Sequence, residues 1–104
     1  MIVNKIGFGE KLQGIPYIVA STNLGRPIDL EKTANTIDNT MYEPEQFPAL
    51  IYRMNDSKVI ILLFESGKLV CSCAKTKKDV YRAIEQIDVL LEEKALLLSR
   101  LIEV

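Results

Sequence analysis

The hydrophobic positions fall into short runs, nearly all of them closed by a glycine, proline or Asn/Asp/Ser break. Only two stretches change from an extended to a helical period. Residues 15–21 (IPYIVAS) are rich in β-branched side chains and predict a strand, which Gly25-Arg26-Pro27 ends. Residues 1–8 form a weaker strand candidate. Gly7, Gly9 and Gly14 bracket Glu10-Lys11, which reads as a turn or loop. In residues 28–37 (IDLEKTANTI) the apolar Leu30, Ala34 and Ile37 are spaced by four and three, the stripe of a short helix. Pro27 lies just before it and Asp29 sits near its positive N-terminal end.

Three more strands follow in quick succession. Residues 49–54 (ALIYRM) turn through Asn55-Asp56-Ser57 into residues 58–64 (KVIILLF). Ser66-Gly67 turns again into residues 68–73 (KLVCSC). Such tight connections predict an antiparallel meander. From Thr76 the period becomes helical: Val80, Ile84, Ile87, Leu91, Ala95, Leu98 and Ile102 step by three or four, with no glycine or proline to the end. One long helix over 76–104 is expected, capped by Thr76 with Asp79 three residues on. One sheet with one helical layer is an α+β domain, covered on one face. The expected helix-side core is Ile18, Leu30, Ile37, Ile61, Leu63, Cys71, Ile84, Ile87 and Leu91. Strict alternation puts Cys71 and Cys73 on one face of their strand, and Val70 and Ser72 on the other. In residues 58–64 both faces are apolar: Ile60, Leu62 and Phe64 oppose Val59, Ile61 and Leu63. Such a strand is buried on both sides, or its open side awaits a partner.

Composition adds mainly exclusions. The 104 residues suit one domain that needs no disulfide or metal staple. Thirteen basic against 14 acidic residues give a formal charge of −1, so a nucleic-acid or membrane partner would need a local patch. Without a histidine, Cys71 and Cys73 alone make no zinc site. They read as reduced cysteines of a cytoplasmic protein. The N-terminus MIVNKIGFGEK lacks the apolar core of a signal peptide, and the longest apolar runs are too short to span a bilayer. No phosphate-binding glycine loop, paired carboxylates or nucleophile beside a base is present, so no enzyme chemistry and no cofactor is expected.

Three segments carry a family resemblance: IVASTNLG (18–25), YEPEQFPALIYRM (42–54) and LLFESGKLVCSCAK (62–75). In this order, with a helix following, they resemble an archaeal-like TATA-box-binding protein. Members of that family carry two copies of the repeat, which form a saddle on the DNA minor groove. This chain holds one copy, roughly from Ile15 onward. The resemblance implies a curved antiparallel sheet with helices on its convex face. Its parts would be an N-terminal extension over 1–14, the sheet over 15–75 and the long helix over 76–104.

The same resemblance implies a DNA-binding surface. Phe47 and Phe64 match the wedges that unstack base steps. Val19, Leu62, Val70 and Ser72 match the DNA-facing positions, and Arg53, Lys58, Lys68 and Lys75 the phosphate contacts. Two positions depart from the family. Tyr17 stands where the family has an asparagine, and offers one hydroxyl at the end of a ring in place of an amide. SCAK replaces TGAK, so Cys73 takes a glycine's place. The implied function is minor-groove binding of AT-rich double-stranded DNA in transcription initiation or its regulation, as a homodimer joined through strand 15–21. A transcription-factor partner is also implied, and no membrane. The competing reading is a protein-interaction module of the same fold that has lost sequence-specific DNA binding. Two arrangements of the strand 15–21 edge stay open: a second copy pairs there, or residues 1–8 fold back over it.

Overall fold

The computed structural model describes residues 6–8, 18–55 and 58–98. Six strands and two helices follow in the order β1 (Ile6–Phe8), β2 (Ile18–Asn23), α1 (Leu30–Thr36), β3 (Thr40–Met41), β4 (Ala49–Arg53), β5 (Ile60–Phe64), β6 (Lys68–Ala74) and α2 (Lys77–Glu93). All strands join one antiparallel sheet in the order β1-β2-β6-β5-β4-β3. The consecutive β4, β5 and β6 form the expected meander. β2 closes against β6 because α1 and β3 intervene in sequence and β3 takes the far edge.

Alternation sorts the side chains. Leu50 of β4, Ile61 and Leu63 of β5, and Leu69 and Cys71 of β6 point to one face, where Leu30 and Ile37 around α1 and Val80, Ile84, Ile87 and Leu91 of α2 complete one core. Of the nine core positions expected from sequence, eight are buried. Ile18 is half-buried and packs against the same cluster. Both helices lie on that face, and among the described residues the opposite face of the sheet carries none.

Each helix begins where a side chain satisfies one of the free amides of its first turn. The Asp29 carboxylate accepts from the Lys32 N–H at 3.0 Å, and the Thr76 hydroxyl from the Asp79 N–H at 3.1 Å. The first helix is shorter than the 28–37 expected. Ile28 is held in extended backbone by its N–H bond to the Glu65 carbonyl and by a bridge to Leu97.

The second helix also departs from expectation: it stops at Glu93 and does not run to residue 104. Ala95 adopts φ 56°, its N–H bonds the Glu92 carbonyl at 3.2 Å, and the Leu96 N–H reaches back to the Leu91 carbonyl at 2.9 Å. This is a Schellman ending with alanine in the place usually held by glycine. Leu96 and Leu91, the pair that packs across such an ending, are both fully buried. The chain then lies beside the Gly25–Pro27 loop. Leu98 N–H bonds the Pro27 carbonyl, Asp29 N–H the Leu96 carbonyl, and the Arg26 guanidinium donates to the carbonyls of Leu97 (3.1 Å) and Leu98 (3.3 Å). The same loop leans on the β5–β6 turn. A side chain on Gly67, which sits at φ 99°, would place its Cβ 2.3 Å from the Arg26 carbonyl oxygen.

A third difference lies in β6. Ala20 opposes Cys71 but Ile18 opposes Ala74, so β6 uses three steps where β2 uses two. The extra residue makes a bulge at Cys73, whose φ is 64°. Strict alternation with Cys71 therefore fails. Ala74 takes the fully buried place, and Cys73 is half-buried.

At the other end of the sheet, β1 pairs with the outer edge of β2 through Ile6↔Thr22, Gly7↔Ser21 and Phe8↔Ala20. The edge through which two copies were expected to join is thus already paired within the chain. The part of the hairpin turn at Asp56-Ser57 lies outside the described residues.

Candidate nucleic-acid interface

Register builds the helix-free face row by row. Ser21, Val70, Leu62, Ile51 and Met41 stand directly opposite one another across β2, β6, β5, β4 and β3. Beside this row run Ser72, Ile60 and Arg53, with Val19 at the adjoining end of β2. On the other side lie Asn23 opposite Lys68, and Phe64 opposite Ala49. Val19 is 47% exposed and Met41 and Phe47 are exposed, while Ile51, Ile60, Leu62, Phe64 and Val70 are half-covered by their neighbours in the plane. Among the described residues no layer covers this apolar surface, which is unusual for a small domain.

The two phenylalanines come together from different elements. The Pro44–Gln46 turn, closed by the Gln46 and Phe47 N–H groups on the Glu43 carbonyl, delivers Phe47 beside the end of β5. There its ring meets that of Phe64 edge-on, with centroids 6.5 Å apart and planes at 64°. Phe47 remains 40% exposed. Lys68, across the β5–β6 turn, holds its ammonium 5.9 Å from the Phe64 centroid, a cation–π contact. Ala49 is buried yet stands outside the helix-side core, as its place opposite Phe64 on this face requires.

The charges are sorted as well. None of the 11 acidic residues among the described residues falls in a strand, whereas Arg53 and Lys68 end strands on the helix-free face. Arg53 and Lys58 line one recess with Ile60 at the β4–β5 end of the sheet, and Lys75 is exposed just after β6. A chain with a net charge of −1 therefore presents, among the described residues, a sheet surface without carboxylates and with cations at its borders. Ser72 donates its hydroxyl to the Ile60 carbonyl at 3.4 Å, which leaves its oxygen lone pairs available on the surface. Among the described residues no His/Cys/Asp/Glu cluster could hold a metal. Cys71, beneath the sheet, is unreactive: burial first, then the neighbouring Cys73 and Asp79, push its thiol up to about 11.

The helix-free face thus joins apolar rows, two adjoining aromatic rings and bordering cations. Residues 15–94 match the family model described as transcription factor TFIID, or TATA-binding protein (TBP). The chain belongs to this family. It is similar to the TATA-box-binding protein of Methanothermobacter thermautotrophicus, 52% identical over 79 residues that are 76% of this chain and 44% of that one. Against the TATA-box-binding protein of Pyrobaculum calidifontis it is 47% identical over 93 residues, 89% of this chain and 46% of that one. The solved structure of a TBP from Methanococcus jannaschii superposes with a TM-score of 0.73 at 42% identity, over 76% of this chain and 45% of that one. The chain thus spans less than half the length of the relatives it matches, and β1 lies outside the family-matching region.

Of the positions singled out in the sequence, Val19, Phe64, Leu62, Val70, Ser72, Arg53 and Lys68 lie on the helix-free face by strand register. Phe47 joins them through its ring contact, and Lys58 and Lys75 sit at its borders. Tyr17 lies outside the described residues. Ile51, Ile60, Met41, Ser21 and Asn23 also belong to the surface and were not singled out. Period-two alternation from Leu62 and Val70 through the paired strands finds them, once the register is known.

Proposed function

We propose that this chain is a minor-groove DNA-binding protein of the TATA-box-binding family. It acts in transcription initiation or its regulation, as a homodimer joined along β2. The Phe47–Phe64 pair, with Phe47 exposed and Phe64 half-covered, on a face without carboxylates among the described residues carries this reading. Minor-groove proteins that bend DNA insert apolar side chains at base steps. They gain affinity from cations on the flanking phosphates. Here the rings stand at one end of the apolar rows, and Lys68, whose ammonium lies over the Phe64 ring, would meet backbone phosphate beside them. Val19, Leu62 and Val70 supply apolar contact along the groove floor, and the Ser72 hydroxyl offers a polar one. The names of the relatives agree with AT-rich duplex as the ligand.

Titration of an AT-rich duplex at several salt concentrations tests the proposal. Four phosphate-contacting side chains per copy (Arg53, Lys58, Lys68 and Lys75) give a slope of log K on log salt of about −0.9 per contact, so roughly −4 per chain. Replacing Lys58 by glutamine should reduce that slope by about one and weaken all duplexes alike. Absence of any mobility shift at low salt overturns the reading.

A further inference from the structure

We propose that β1 is a removable edge strap: it keeps the chain monomeric by occupying the edge of β2 that a second copy of the chain takes in the dimer. The inference rests on the homodimeric reading above. β1 is three residues long, has Gly7 at its centre, and its register covers Ala20, Ser21 and Thr22 of the six-residue β2. Glycine inside a strand supplies no side chain to pack and weakens the pairing. The strap's advantage is that it is tethered. An intramolecular segment competes at an effective concentration of about millimolar, far above that of a second chain in dilute solution.

A second copy makes the longer ladder. Two β2 strands related by a two-fold axis pair antiparallel, and residues directly opposite must point to the same face. Residue i therefore meets a residue of the same parity, so the axis passes through Ala20 or through Ser21. Through Ala20 the pairs are Ile18 with Thr22, Val19 with Ser21, Ala20 with itself, and the two reciprocals, a five-pair ladder against the three pairs of the strap. The alternative axis sets Val19 opposite Asn23. Either axis brings Val19, Ser21 and Asn23 of both copies onto one surface, leaves every helix on the other, and fuses the two apolar faces into one. Each copy then contributes its Phe47–Phe64 pair, and a duplex lying across both copies adds its contacts to the dimer alone. DNA binding and strap release are thereby coupled, because the ligand has differential affinity for the two states.

Two changes to the full chain test this in opposite directions. Ile6→Pro with Gly7→Pro releases the strap: successive residues of a strand point their N–H groups to opposite sides, so one of the two removes a donor facing β2. Gly7→Cys with Ser21→Cys, which are direct partners, locks it upon oxidation. Sedimentation equilibrium without DNA should find the released chain dimerising at a concentration lower by about tenfold or more than the unaltered chain. The oxidised double-cysteine chain should remain monomeric and recover dimerisation upon reduction. Equal dimerisation of the released and the oxidised chains overturns the strap and leaves the homodimer standing. Monomers throughout, even at the highest concentration, overturn the strap and the homodimer together. A duplex titration of the same samples reports separately on DNA binding.

Discussion

Replacing Phe64 by alanine separates a binding side chain from a core side chain within one strand. Phe64 and Leu63 are adjacent in β5, yet Leu63 is fully buried beneath the helices and Phe64 stands half-covered on the other face. The folded protein loses two contacts with the Phe64 ring. The edge-to-face contact with Phe47 is worth about 0.5–1.5 kcal/mol, and the Lys68 ammonium over the ring about 0.5–1 kcal/mol at an exposed site. These two contacts account for roughly 1–2.5 kcal/mol, in addition to the burial of the covered part of the ring, against about 2–5 kcal/mol for Leu63→Ala, which leaves a cavity in a closed core. On DNA the order reverses. An aromatic ring stacked on a base is worth about 1–3 kcal/mol, so Phe64→Ala should weaken duplex binding by about 5- to 150-fold per chain and diminish bending. Leu63→Ala, assayed where it remains folded, should bend DNA like the parent. Urea titration gives the stabilities, and energy transfer between dyes at the duplex ends gives the bend. If Phe64→Ala bends DNA as the parent does, the wedge assignment is wrong, and if it also destabilises as much as Leu63→Ala, the ring is a core element.

Four further outcomes are expected. Ala95→Gly should stabilise the fold by about 0.5–1 kcal/mol in urea melts, because it relieves a left-handed residue at the end of α2. Gly67→Ala should cost roughly 2 kcal/mol or more, through its positive φ and the overlap with the Arg26 carbonyl. Asp88, 4% exposed on the inner side of α2, has its carboxyl pushed above its ordinary 3.8 by burial and then by Glu92, with Arg26 opposing. The native state then holds that proton more tightly than the unfolded chain. Stability falls as pH rises from 3.8 through the raised value, and the deficit persists above it. Asp88→Asn should abolish that fall and stabilise the protein at neutral pH, read from urea midpoints across the acid range. Finally, a thiol reagent should label Cys73 in the native protein and reach Cys71 only on unfolding, because Cys71 is fully buried with its thiol near 11.

Much of this architecture is written in local chemistry. Alternation in KVIILLF and KLVCSC separates Ile61, Leu63, Leu69 and Cys71 from Leu62, Phe64 and Val70 before any coordinate is known, because a strand's side chains have no other geometry. The starts of α1 and α2 are legible in Asp29 and Thr76, since a cap acts on amides only a few residues away. The family motif, with Phe47 and Phe64 within it, is likewise a property of the chain alone.

The tertiary structure decided what depends on distant partners. The apolar period of α2 continues through Ala95 and Leu98, and no glycine or proline announces a stop. The helix ends because Leu96 is buried in the core, and because Arg26 and Pro27, some seventy residues away in sequence, bond the backbone of residues 97 and 98. The bulge at Cys73 exists only because β2 and β6 must stay in register on both sides of it. The pairing of β1 with β2 is the same kind of fact. Residues 6–8 have little strand signal of their own, and the unsatisfied donors and acceptors along the β2 edge give them a place to bind.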